Sequence, residues 1–82
     1  MLTINELRDQ FELQGEAIVK WVEPYGDDEE IYFEGDIGNF SADNPAAEME
    51  IEYQYAITKN IGTFINPVYV GVTVYEVKKA DD

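Results

Sequence analysis

Carboxylates are the reactive side chains this sequence supplies in quantity, and their spacing decides what chemistry is open to it. Glu48, Glu50 and Glu52 alternate through a segment that also alternates in hydrophobicity, and Asp27, Asp28, Glu29 and Glu30 form an unbroken run. Alternate residues of a strand project from one face about 6.6–6.8 Å apart. The three glutamates therefore predict a regular line of negative charge on a rigid element. A nucleic-acid strand also carries evenly spaced negative charge, at about 3.4 Å of axial rise per phosphate, so the loose match is to alternate phosphates. Such a line, extended by the Asp27–Glu30 run if a hairpin brings it close, fits the basic groove of a nucleic-acid-binding protein. The competing reading is plainer: a half-buried strand needs polar residues outward, and Glu discourages edge pairing.

Catalysis has little to work with. Histidine and cysteine are both absent, which removes the commonest general base and the thiol nucleophile. Ser41 is the single serine, and no motif joins it to Lys20 or Lys59. Paired carboxylates can hydrolyse glycosides when held across a cleft, but 82 residues leave little room for one. The expectation is a protein that is not an enzyme. Hard cations would suit oxygen-rich loops. The Asp27–Glu30 run, however, lacks the alternate spacing and central glycine of an EF-hand loop. Asp36, Asn39 and Asp43 offer a second weak set. Both read more simply as solvated acidic turns, and a divalent-ion module stands as a third functional reading. No P-loop or dinucleotide fingerprint is present, and no cofactor or metal is expected.

Net charge bounds the partners. Eighteen Asp and Glu stand against five Lys and Arg, a formal charge of −13 in 82 residues. Nucleic acid and anionic membrane would both meet like charge. Acidity either steers the chain to a basic partner or serves solubility alone. The apolar fraction of 45% and aromatic fraction of 13% are those of a chain that folds. The length is that of one domain spanning 1–82. A domain of this size without disulfides belongs in a reducing cytoplasm. The Met1-Leu2-Thr3 start reads as a native N-terminus with no signal sequence, and no apolar run approaches the ~18 residues of a membrane span.

The elements that would position these carboxylates can be read in order. Thr3 and Glu6 have capping-box spacing, Leu2 and Leu7 the hydrophobic-staple spacing, and Ile4, Leu7 and Phe11 share a helical face. These predict a helix over 3–13, closed by Gly15 in a left-handed conformation. Ala17, Val19 and Trp21 then alternate with polar and β-branched residues in a strand over 16–22, followed by a Pro24/Gly26 turn and a short strand over 31–34. Residues 35–46 read as a loop. Met49, Ile51, Tyr53, Tyr55 and Ile57 predict one face of a long strand, with Glu48, Glu50, Glu52, Gln54 and Thr58 on the other. A return segment containing Ile61, Phe64 and Ile65 leads to a last strand over 68–77, and the tail from Lys78 to Asp82 is expected to fray.

The order predicts an α+β domain: a short N-terminal helix packed on a roughly four-stranded antiparallel meander. An eleven-residue helix is about 16 Å long and cannot cover both faces of such a sheet. On the last strand Val68, Val70, Val72 and Val74 occupy one face, and Tyr69, Thr73, Tyr75 and Val77 the other. Tyr69, Tyr75 and Val77 are then a large surface to leave wet. The alternative function is accordingly a structural protein forming a homodimer or larger assembly through this aromatic face.

The opening Thr3-Ile4-Asn5-Glu6-Leu7-Arg8-Asp9-Gln10-Phe11-Glu12-Leu13-Gln14-Gly15 resembles the start of short accessory proteins carried by bacterial mobile elements and phages. In size and acidity the chain is also similar to the anti-restriction and anti-CRISPR inhibitors of that setting. The resemblance implies an inhibitor of a basic nucleic-acid-binding partner, and it brings no functional residues with it.

Overall fold

The computed structural model describes residues 2–79. Its elements are a helix α1 (Ile4–Gln10), strands β1 (Glu16–Val22) and β2 (Glu29–Asp36), two 3-10 turns (Ile37–Asn39 and Pro45–Glu48), and strands β3 (Glu50–Asn60) and β4 (Tyr69–Lys78).

The capping box forms as its spacing requires. The Thr3 hydroxyl accepts from the Glu6 amide at 3.1 Å, and the Glu6 carboxylate accepts from the Thr3 amide at 3.3 Å. These bonds satisfy backbone groups that a helix start leaves without partners. The helix stops earlier than the periodicity predicts. Phe11 is already extended, and its amide bonds the Leu7 carbonyl at 2.9 Å. Extending residues 11–14 brings Leu13 back onto the core, whereas Phe11 points outward. Gly15 does adopt positive φ, at +93°, but it serves the entry to β1 rather than the helix end. Its carbonyl accepts from the Ile37 amide at 2.9 Å, tying that entry to the first 3-10 turn.

The sheet is mixed, with strand order β2-β1-β4-β3. β1–β2 and β3–β4 are antiparallel hairpins, and the two hairpins join through a parallel β1–β4 pair running from Ala17↔Thr73 to Lys20↔Glu76. The expected antiparallel meander is therefore corrected. Short connections make consecutive strands antiparallel, but they place no constraint on strands distant in sequence, and β1 and β4 are such a pair.

One face carries the main core. Ala17 and Val19 from β1 and Tyr75 and Val77 from β4 pack under Ile4 and Leu7 of α1. The segment containing the 3-10 turns completes this layer with Ile37, Phe40, Ala46 and Ala47. The rings of Phe33 and Phe40 meet edge to face, 5.3 Å between centroids, a preferred aromatic geometry. The stretch expected as loop is thus half of the cover: Asp36 and Asn44 cap its two 3-10 turns, accepting from the Gly38 and Ala46 amides at 2.8 and 2.9 Å.

Among the described residues no helix lies over the second face, yet Val72 and Val74 at its centre are 2% and 1% exposed. The register sets Val74 between Ile18 of β1 and Tyr55 of β3, and Val72 beside Ile57. Lys59 on one edge strand reaches Glu34 on the other at 2.9 Å. Four flat strands would hold these edges roughly 14 Å apart, and the register sets Glu34 level with Tyr55, four residues along β3 from Lys59, farther than the two side chains reach, so the sheet curls and this face is concave. Curling buries the central valines under their own neighbours.

A bulge in β3 changes which residues share a face. Ile51 pairs with Val77 while Tyr53 pairs with Glu76, leaving Glu52 as the extra residue. Ile51 thus belongs to the helix-covered face, and Tyr53, Tyr55 and Ile57 to the concave one. The sequence expectation of one continuous face from Met49 to Ile57 is overturned here. Of the tail, Lys78 ends β4, and Lys79 lies 4.1 Å from the Trp21 ring centroid and 2.7 Å from the Glu30 carboxylate. Residues 80–82 lie outside the described residues.

Candidate functional site

The carboxylates singled out by their spacing go to different places. Glu48 lies in the second 3-10 turn and accepts from the Asn5 side-chain amide at 2.6 Å. Glu50 opens β3 and is bridged to Thr3. Glu52 occupies the bulge. All three are exposed, but they do not form a straight row on one strand face, because the alternation begins only after Glu48 and is broken at Glu52. Of the second run, Asp27 and Asp28 are exposed in the β1–β2 turn. Glu29 is 3.2 Å from Lys20, and Glu30 holds Lys79 and accepts from the Tyr32 hydroxyl at 3.2 Å. The Lys79 ammonium keeps the Glu30 carboxyl below its ordinary range. Two of these four carboxylates thus fasten the sheet's own basic residues.

Tyr75 and Val77, two of the three residues expected to carry an aromatic contact between copies, are 4% and 1% exposed beneath α1. The helix and the 3-10 segment lie on this face, and the face they leave uncovered is the one carrying Val72 and Val74. Only Tyr69 of that set is exposed to a second molecule.

What the fold does bring together is a cleft of about 330 Å³ at the β1–β2 turn end of the concave face. Glu23, Glu52 and Glu76 line it, with Tyr25 and Tyr53. The bulge aims Glu52 into this group, β4 supplies Glu76 opposite Tyr53, and the turn supplies the other two. Tyr25 holds a positive φ of 63°, rare for a side chain of its size, and its ring is fully exposed. The turn is closed by the Glu23 amide donating to the Asp28 carbonyl at 2.8 Å. Beside the cleft, the Tyr55 phenol is pushed up to about 12, chiefly by its interaction with the Glu76 carboxylate and then by burial.

No family model, curated protein or solved structure matches the chain.

The chemistry of the cleft follows from its groups. Three carboxylates and two phenol rings attract cations, and rings favour delocalised or bulky ones such as guanidinium. Among the described residues no group of three His, Cys, Asp or Glu side chains is close enough to hold a metal ion. A second, polar cleft of about 520 Å³ lies between α1 and residues 42–48, lined by Asn5, Arg8, Asp9 and Glu48. Its Arg8 guanidinium is engaged in the fold, donating to the Phe40 carbonyl at 2.7 Å.

Sequence reasoning found Glu52 but missed Glu23, Glu76, Tyr25 and Tyr53 as a group. No local spacing links them, since they meet only through the β3–β4 register and the β1–β2 turn. The positive φ of Tyr25, next to Pro24 and Gly26, is the one feature a turn signal points toward.

Proposed function

We propose that this chain is an acidic protein-interaction module that binds a basic, nucleic-acid-binding partner, with an arginine or lysine of that partner anchored in the Glu23/Glu52/Glu76 cleft. The observation that carries the reading is the cleft itself, where carboxylates from three separate elements converge on exposed tyrosine rings. Asp27 and Asp28 adjoin it on the turn and take part in no ion pair among the described residues. The charge of −13 supplies steering toward a positive surface. The partner's nucleic acid would compete for that surface, which makes the module an inhibitor by charge mimicry.

The test uses an arginine-rich peptide as probe, titrated calorimetrically at several salt concentrations. Binding is expected to weaken steeply with salt, because the attraction is between exposed charges. The triple variant Glu23→Gln/Glu52→Gln/Glu76→Gln is expected to lose roughly tenfold more affinity than the control Glu6→Gln/Asp9→Asn/Glu12→Gln, which removes equal charge on and beyond the helix. Equal losses in the two variants, or binding indifferent to salt, would remove the cleft as the site. For the natural partner, recovered from source lysate, displacement by DNA separates mimicry from simple acidic binding.

A further inference from the structure

We infer that β3 is a self-association edge: two copies pair β3 to β3, antiparallel, about a two-fold axis at Ala56, making one continuous eight-stranded sheet. The two edges of the present sheet are built differently. β2 carries Glu29, Glu30, Glu34 and Asp36 along its length, the kind of charge that keeps an edge from pairing. β3 has charge only near its ends, Glu50 and Glu52 at one and Lys59 at the other, and every residue from Glu52 to Asn60 is exposed. A strand edge left long and uncharged in its middle is a template for another strand.

The same edge already accepts one. The Ile51 amide donates to the Leu2 carbonyl at 2.8 Å, and Thr3 bridges Glu50 in antiparallel sense. That segment occupies the edge as far as Ile51, and among the described residues no strand pairs with the outer edge of 52–60. The centre of this window is Ala56. A two-fold there sets Tyr55 opposite the partner's Ile57, Tyr53 opposite its Lys59 and Glu52 opposite its Asn60. Aromatic against β-branched residues is a favourable cross-strand pair, and no like charges face each other. Parallel pairing in register would instead stack Glu52 on Glu52.

Charge selects a second copy through this strand in particular. From Tyr53 to Tyr75 the chain has one charged side chain, Lys59. Two molecules of charge −13 can approach closely only where that charge is absent, and the β3–β4 hairpin is that place. The distal part of the hairpin also needs a neighbour. β1 pairs with β4 only from Thr73 onward, so Tyr69–Val72 and the β3 residues opposite form a two-stranded ribbon, which is marginal alone in water. At its tip Phe64 and Ile65 are 99% and 85% exposed. They stand on a loop held by Asn60, whose side chain accepts from the Gly62 and Val68 amides at 2.9 and 3.1 Å. At Gly62 a Cβ would run into the Asn66 carbonyl. Pairing over 52–60 carries each tip alongside the start of the partner's β3, where Leu2 and Met49 are half-buried.

The experiment is sedimentation equilibrium of the full chain at moderate and high sodium chloride. The expected result is a mass twice that of the chain, with association unchanged or strengthened by salt as repulsion between the copies is screened. Because Ala56 meets its own copy at the axis, Ala56→Lys sets two lysines opposite each other, and Ala56→Glu two glutamates. Each variant is expected to raise the dimer dissociation constant roughly tenfold, with circular dichroism confirming an intact fold. Mixing the two variants is expected to restore association as a heterodimer, which a merely misfolded variant could not do. A wild-type chain that stays monomeric throughout, or a dimer indifferent to both substitutions, overturns the inference. A monomer that gains mass only with a different protein on this edge overturns it as well.

Discussion

A phenol beside a carboxylate in a partly dry environment resists ionisation, because the phenolate would face a like charge. Tyr55 is in that position against Glu76, and its pKa of about 12 against the ordinary 10.0 marks the fold as binding that proton more tightly than the unfolded chain does. The associated stability is therefore complete below pH 10 and is lost as pH rises from 10 toward about 12. The measurement is phenolate absorbance in alkaline titration, with Tyr55→Phe subtracted to isolate one of the six tyrosines. Glu76→Gln is expected to return the Tyr55 transition toward its ordinary value. A Tyr55 that already titrates normally in the parent protein would mean that Glu76 does not approach the hydroxyl in solution. Tyr75 is also raised, by burial alone, so its titration is expected to move with unfolding and not with Glu76→Gln. The two tyrosines thus report separately on the cleft and on the core.

Each element holds through a few contacts, which makes local losses measurable. Thr3→Ala removes one half of the capping box and leaves Glu6 reaching for an altered cap. The expected cost is about 1 kcal/mol in urea unfolding with no change in slope. Phe40→Ala removes the ring that joins the 3-10 cover to Phe33. The expected cost is about 3–5 kcal/mol, a large part of the stability of so small a domain. Much of this was legible in the sequence wherever the determinant is local. The Thr3-x-x-Glu6 spacing, the alternation of Ala17, Val19 and Trp21, and the valine alternation of β4 each specify their element within a few residues. The rest was not legible because it is decided at a distance. Nothing in either segment records that β1 lies parallel to β4. The bulge at Glu52 breaks the period of two on which the reading of β3 rested, sending Ile51 and Tyr53 to opposite faces. The helix ends at Gln10 because Leu13 is needed in the core, a demand set by the sheet. The carboxylate row dissolved for the same reason, and the cleft that replaces it exists only through tertiary register.

Charge is segregated across the whole molecule, and this sets how its stability responds to salt. Residues 53–75 carry Lys59 alone, so all eighteen carboxylates lie in the remaining chain. Among the described residues three ion pairs offset it, Lys20–Glu29, Lys59–Glu34 and Lys79–Glu30, all with exposed carboxylates. Salt acts on both attractions and repulsions, and the sign of its net effect follows from their numbers. Exposed pairs contribute little and lose it early, whereas repulsion among the many unpaired carboxylates acts over the whole acidic part and destabilises the compact state. Raising ionic strength from 0.01 M to 1 M shortens the screening length from about 30 Å to about 3 Å. The thermal midpoint is therefore expected to rise with sodium chloride, by about 4–8 °C for each kcal/mol of repulsion relieved. A midpoint that falls would mean that the three ion pairs outweigh the repulsion. Salt then distinguishes the roles assigned to the two ends of the molecule. It is expected to strengthen the fold, to leave unchanged or strengthen the β3–β3 contact of the neutral end, and to weaken capture of a cationic ligand at the acidic end. Melting, self-association and peptide binding measured on one salt series resolve these three signs, and a common sign would show that a single electrostatic effect governs the molecule.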